Sequence, residues 1–188
     1  MTKKASSFLL FIFLLLILFV PKVKAYILQG IMITGLYNTE FNTEETHLKL
    51  DAADWNLKIK NANGDLYTLS DFKEKVIVIN FWATWCAPCL AELPNLNDLY
   101  ATFKNEKNFI LLTIETDANK KKAQEILSNK KLNLPLYFLN YKYQTNLFNG
   151  TLPTTVVIDK DGTLVLKKEG IANYNNDTFK AQLHELLK

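Results

Sequence analysis

Apolar and polar positions divide the chain into three stretches. Lys3 and Lys4 precede an unbroken apolar run from Phe8 to Val20, which ends at Pro21. The run has no polar face to turn to water, so a buried core helix does not account for it. The lysines, the run and the small residues near Val23-Lys24-Ala25 have the order of an export signal. A membrane span needs about 20 apolar residues. The run is shorter, but Ala5, Ser6 and Ser7 extend it on one side and Tyr26 to Tyr37 on the other. Residues 1–25 are therefore read as either a cleaved signal peptide or a signal-anchor, and both readings place the rest of the chain outside the cytoplasm. Residues 26–50 are read as a tether, because Asn38 to Leu50 is polar and acidic without a period.

From residue 51 to 188 the pattern is that of one α/β domain. Trp55, Leu57 and Ile59 alternate with polar residues, which predicts a strand; Asn63-Gly64-Asp65 predicts a turn into a second strand ending at Leu69. Val76 to Trp82 and Phe109 to Ile114 are continuous apolar runs, the pattern of strands buried on both faces. From Pro88 the period becomes helical, with Leu90, Leu93, Leu96, Tyr100 and Phe103 on one face. Asp117 is placed to cap a helix through Ala123, Ile126 and Leu127, and Leu136 to Leu139 reads as a short strand. Thr154 to Ile158 and Thr163 to Leu166 flank Asp159-Lys160-Asp161-Gly162, a hairpin. A last helix follows a cap near Asn176, with Phe179, Leu183, Leu186 and Leu187 at helical spacing. Strand–helix–strand units followed by a terminal hairpin and helix predict a mixed sheet flanked by helices.

Nearly half the 188 residues are apolar, enough to build a core. Every basic residue is a lysine, so the forked guanidinium that reads phosphates and base edges is missing. The net charge of +3 comes from the leader: from Tyr26 onward 18 lysines meet 19 acids. A near-neutral domain gives no electrostatic footprint for nucleic acid.

The chemistry lies in Cys86-Ala87-Pro88-Cys89, which contains both cysteines of the chain. Cys86 comes soon after an apolar strand and at the start of a helix, where unpaired N–H groups and the helix dipole stabilise a thiolate. Cys89, one turn on, can attack a mixed disulfide formed on Cys86. Pro88 falls in the first turn, where its missing N–H costs little. Trp82 and Trp85 supply apolar walls. A zinc site would need His47 and His184, but neither has metal-ligand spacing to the cysteines. A purely structural bridge would close too small a loop to restrict the unfolded chain much.

The segment Asn80-Phe81-Trp82-Ala83-Thr84-Trp85-Cys86-Ala87-Pro88-Cys89 resembles the active site of thioredoxins. Pro94 falls where that family kinks its active-site helix, and Leu152-Pro153-Thr154-Thr155 resembles its cis-proline loop. The preceding hairpin, Ser70-Asp71-Phe72-Lys73, the extra helix–strand unit after Ile114, and Pro-Thr-Thr before Asp-Lys-Asp-Gly resemble the membrane-linked TlpA/ResA-like branch. The resemblance covers about residues 51–188. It implies a thioredoxin-like fold with an N-terminal β-hairpin and an inserted helix–strand unit. It also implies a thiol–disulfide oxidoreductase without a cofactor or metal. Its partners would be protein thiols and disulfides as clients, and a membrane electron-donor protein that re-reduces the pair. A reductase of selected exported proteins, for example in cytochrome c maturation, is the expected role. A thiol peroxidase, or a non-catalytic copper- or client-binding assembly factor, is the alternative. Ordinary thioredoxins carry a buried Asp where this chain has Asn80; the TlpA/ResA-like branch uses a Glu on the active-site helix, and Glu92 matches it. Cys86, Cys89 and Glu92 are thus the expected catalytic residues, and Trp85, Pro88, Leu152 and Pro153 the expected client contacts.

Overall fold

The computed structural model describes residues 6–13, 21–32, 34–41, 48–140 and 145–188. Strand β4 (Val76–Trp82) is buried along its whole length, and its period of two divides the core. Val76, Val78 and Trp82 belong to one cluster of buried side chains, and Ile77, Ile79 and Phe81 to the other. Asn80 falls in the first set by alternation.

The sheet is mixed. Its strands are β1 (Leu48–Lys49), β2 (Lys58–Asn61), β3 (Leu66–Thr68), β4, β5 (Phe109–Glu115), β6 (Leu136–Leu139), β7 (Thr154–Ile158) and β8 (Thr163–Glu169). The order is β1-β8-β7-β4-β5-β6-β2-β3. Strands β4, β5 and β6 are parallel; β7 returns antiparallel beside β4. The β2–β3 hairpin reaches the sheet through β6, so the inserted helix–strand unit provides its docking edge.

Residues 6–13 are helical (α1), with Phe8 to Phe13 exposed. The other helices are α2 (Pro21–Met32), α3 (Ala52–Trp55), α4 (Ala87–Phe103), α5 (Lys120–Asn129) and α6 (Asp177–Leu187), with a 3-10 turn at Leu69–Phe72. The first cluster collects Leu93, Leu96, Leu99 and Phe103 of α4, Ala123 and Leu127 of α5, Phe179 and Leu183 of α6, and Ala25 and Met32 of α2. Burying each large apolar side chain contributes roughly 1.5–3 kcal/mol. On the other face, Leu69 and Phe72 of the 3-10 turn and the loop residue Leu147 close the sheet, and Phe148 stacks on Phe81 with ring centroids 4.5 Å apart.

Three local expectations change. Trp55 is not in a strand: Asp51 caps α3, its side chain accepting from the Asp54 N–H while Asp54 Oδ2 accepts from the Asp51 N–H. These capping bonds win over an alternation of three residues. Asn119, not Asp117, caps α5, its Oδ1 accepting from the Lys122 N–H. The last strand runs on to Glu169 because β7 pairs with it that far.

The leader run, Phe8 to Val20, lies partly outside the described residues, as do 42–47 of the tether. Among the described residues no helix is long and apolar enough to cross a membrane. Parts of the tether lie against the domain. Helix α2 packs on α4, Phe41 N–H donates to Gln182 Oε1 at 2.8 Å, and β1 pairs with β8.

Candidate active site

Strand β4 ends at Trp82, and a short connection later Cys86 caps α4 from an extended backbone conformation. Its Sγ accepts from the Cys89 N–H at 3.3 Å, taking the place of the usual capping oxygen. That N–H and the dipole of the helix N-terminus favour its thiolate. Pro88 sits in that turn, half-buried. The two cysteines are joined in a disulfide, with Cα atoms 5.2 Å apart. Cys86 is 4% exposed and Cys89 fully buried, so an incoming sulfur can reach only the first. Trp85 stands beside them, 58% exposed, its Nε1 donating to Asp117 Oδ2 at 2.5 Å.

Beneath the pair is a buried polar cluster. Glu92 lies one turn beyond Cys89 on α4 and has no exposure. Asn80 Nδ2 donates to Glu92 Oε1 at 2.6 Å and to Thr155 Oγ1 at 2.9 Å, and the Ala172 N–H donates to Glu92 Oε2 at 3.3 Å. The β4–β7 register sets Asn80 opposite Thr155. Burial pushes the Glu92 carboxyl up to about 8 from 4.5, against the two hydrogen bonds that favour its charge. Tyr174 closes the cluster; burial and then the Glu92 charge hold its hydroxyl well above its usual range. Asn80 Oδ1 and Tyr174 Oη are buried with no hydrogen-bond partner among the described residues.

The same register sets Thr154 opposite Phe81, which brings Pro153 to the sheet end where β4 runs into the cysteine motif. The Leu152–Pro153 bond is cis. The Pro153 carbonyl accepts from the Gly170 N–H at 2.8 Å; Leu152 is half-buried and contacts both core clusters.

Four polar residues at this end escape a reading of the sequence. Thr155, on β7, lies in the segment resembling the cis-proline loop, a resemblance that assigns it no role, and Tyr174 comes from the loop after β8, where nothing in its neighbours marks it. Glu115 ends an apolar strand run, which is a signal: it pairs with Trp82 across β4–β5 and is buried. Burial raises its pKa, although Oε2 accepts from the Asn119 N–H at 2.8 Å. Asp117, expected as a helix cap, instead holds Trp85.

A disulfide-bonded C-x-x-C at the N-terminus of a helix, on this mixed sheet, defines a thioredoxin-fold thiol–disulfide oxidoreductase. The chain belongs to the AhpC/TSA family, whose pattern matches residues 49–167. It is 30% identical over 163 residues to the thiol-disulfide oxidoreductase ResA of Bacillus cereus, covering 86% of this chain and 90% of that protein. It is 31% identical over 125 residues to the ResA of Geobacillus kaustophilus, covering 66% and 71%. A crystal structure from Chlorobium tepidum, described as a putative thiol:disulfide interchange protein DsbE, superposes with a TM-score of 0.61 at 26% identity, covering 75% of this chain and 99% of that one.

Proposed function

We propose that the chain acts outside the cytoplasm, reducing disulfides of exported proteins through Cys86 and Cys89 with Glu92 as proton acceptor. The observation that carries this reading is the asymmetry of the pair: one sulfur at the helix cap within reach of solvent, the other buried one turn above a buried carboxylate.

The Cys86 thiolate attacks a client disulfide. One client thiolate leaves and takes up a proton from water, and a mixed disulfide remains. Cys89 then passes its proton to the ionised form of Glu92 and attacks Cys86 Sγ. The second client thiolate leaves, and the Cys86–Cys89 bond forms. Two electrons have moved from the pair to the client. A thiol donor in the membrane restores the dithiol by the reverse exchange. Asn80 cannot titrate; it holds Glu92 in place. Trp85, Pro88, Leu152 and Pro153 contact the client. The N–H and C=O of Leu152 carry no hydrogen bond among the described residues, which leaves them free to pair with an extended client strand. A client with the C-x-x-C-H haem-attachment motif suits the cytochrome c role that the family resemblance implies.

Cys89→Ser accumulates mixed disulfides with clients, and Cys86→Ser forms almost none. Equal trapping by the two variants refutes the assignment of roles. A strongly negative reduction potential supports the direction, and one as high as that of a dedicated oxidant overturns it.

A further inference from the structure

Helix α2 has two apolar faces. Ala25, Leu28 and Met32 pack against the domain. Ile27 and Ile31 point away from it, 38% and 36% exposed, and Tyr26, 65% exposed, stands at the edge of that face. The helix begins at Pro21, directly after the last residue of the leader's apolar run, with Lys24 in its first turn. Beside α2 runs α5. Residues 120–131 hold five lysines and one acid, Glu125, although the domain as a whole is near neutral. Lys120, Lys121 and Lys122 are exposed, and Lys130 Nζ lies 5.0 Å from the centre of the Tyr26 ring. Between the two helices lies a cavity of about 400 Å³ whose walls include Ala25, Tyr26, Ile126, Leu90 and Trp85. The active site therefore opens on the same side as the apolar helix and the lysines.

We propose that this side is a membrane-docking surface. The outward face of α2 lies in the bilayer interface, the lysines of α5 meet anionic headgroups, and Cys86 is held at the lipid surface. Three features select a lipid surface as the occupant. Tyrosine with aliphatic residues and flanking lysines is the composition of an interfacial helix. Lysines near an anionic leaflet are drawn to it, and five of them lie within one short stretch. The chain also reaches this surface without slack: from Pro21 to Tyr26, which lines the cavity with Trp85, the helix rises only about 7.5 Å. The proposal rests on the export reading of the leader. Its consequence is that Cys86 faces thiols at the bilayer surface rather than projecting from it on a free tether.

The test uses the full chain reconstituted into vesicles of equal parts phosphatidylcholine and phosphatidylglycerol, made with and without lipids brominated near the headgroup. Subtracting the fluorescence of Trp85→Phe isolates the Trp85 signal. Docking quenches that signal. The quenching is lost in an Ile27→Glu, Ile31→Glu double variant, and falls in Lys120→Gln, Lys121→Gln or at high salt. Exchange with a small soluble dithiol stays at the wild-type rate in these variants, which shows that they fold. A Trp85 signal unquenched in vesicles that retain the protein after an alkaline wash overturns docking and leaves the anchor reading intact. A signal quenched in vesicles that lose the protein on alkaline wash overturns the anchor reading and leaves docking intact. Chain-to-chain crosslinking through Ile27 with no quenching identifies a second copy as the occupant and overturns the proposal.

Discussion

Replacing Glu92 with Gln keeps the shape of the side chain and removes its charge. In the folded protein the carboxyl titrates near 8, against 4.5 for the unfolded chain. Between these two values the folded state binds the extra proton, so stability falls as pH rises through that window. A tenfold difference in proton affinity is worth about 1.4 kcal/mol, so Glu92 lowers folding stability, relative to its value at acid pH, by on the order of 3 kcal/mol at pH 7 and 5 above pH 8. The neutral amide carries none of this. It keeps the bond from Asn80 Nδ2 but sets an amide donor against the Ala172 N–H, a loss of about 1–2 kcal/mol at every pH. The expected result is a crossing. Glu92→Gln is slightly less stable than wild type near pH 5 and more stable above about pH 6. Urea unfolding of the oxidised chain in mild detergent, measured from pH 4.5 to 8.5, reads the difference. Glu115 adds a slope of the same sign, but equally in both proteins, so it cancels. Parallel stability curves for the two proteins refute a buried, strongly shifted Glu92. The proposed role of Glu92 as proton acceptor for Cys89 further requires that the same variant flatten the rise of the exchange rate with pH.

Asp54 is buried and accepts from Thr145 Oγ1 at 2.6 Å and from the Asn146 N–H at 2.8 Å, pinning the loop that carries Leu147 and Phe148 onto the sheet. Asp54→Ala strands these donors and lowers stability by about 2–4 kcal/mol, read by urea unfolding; a loss below about 0.5 refutes the pinning. Gly162 holds φ +83 in the β7–β8 turn, and a Cβ there would stand 2.8 Å from Trp55 Cζ2. Gly162→Ala therefore costs about 1–3 kcal/mol, with a displaced Trp55 fluorescence signal, and an unchanged midpoint contradicts that contact. Asp117→Ala frees the Trp85 indole: Trp85 fluorescence anisotropy falls, and KM for a protein client rises while exchange with a small dithiol holds. No change in anisotropy means that the hydrogen bond does not hold the ring.

The elements at the centre of this domain are legible in the chain because their cause is local. Val76 to Trp82 is too uniformly apolar to be anything but a buried strand, and Leu90, Leu93, Leu96 and Phe103 can share a core only on a helix. The cysteine pair is legible for the same reason: one residue type, one spacing, one junction. Local rules also explain where that reading slips. Asp51 and Asp54 turn Trp55 into a helix through two side-chain hydrogen bonds that hydrophobic alternation does not register. What the chain alone leaves open is everything that depends on which strands become neighbours. Glu92 is an ordinary helix residue until the β4–β7 register brings Asn80 and Thr155 together beneath it, and the loop after β8 adds Ala172 and Tyr174. Its shifted acidity is a property of that enclosure, because desolvation depends on what surrounds a carboxylate and not on its sequence neighbours. The lysines of α5 and the apolar face of α2 likewise lie far apart in the chain and meet only because both helices pack on one face of the same sheet.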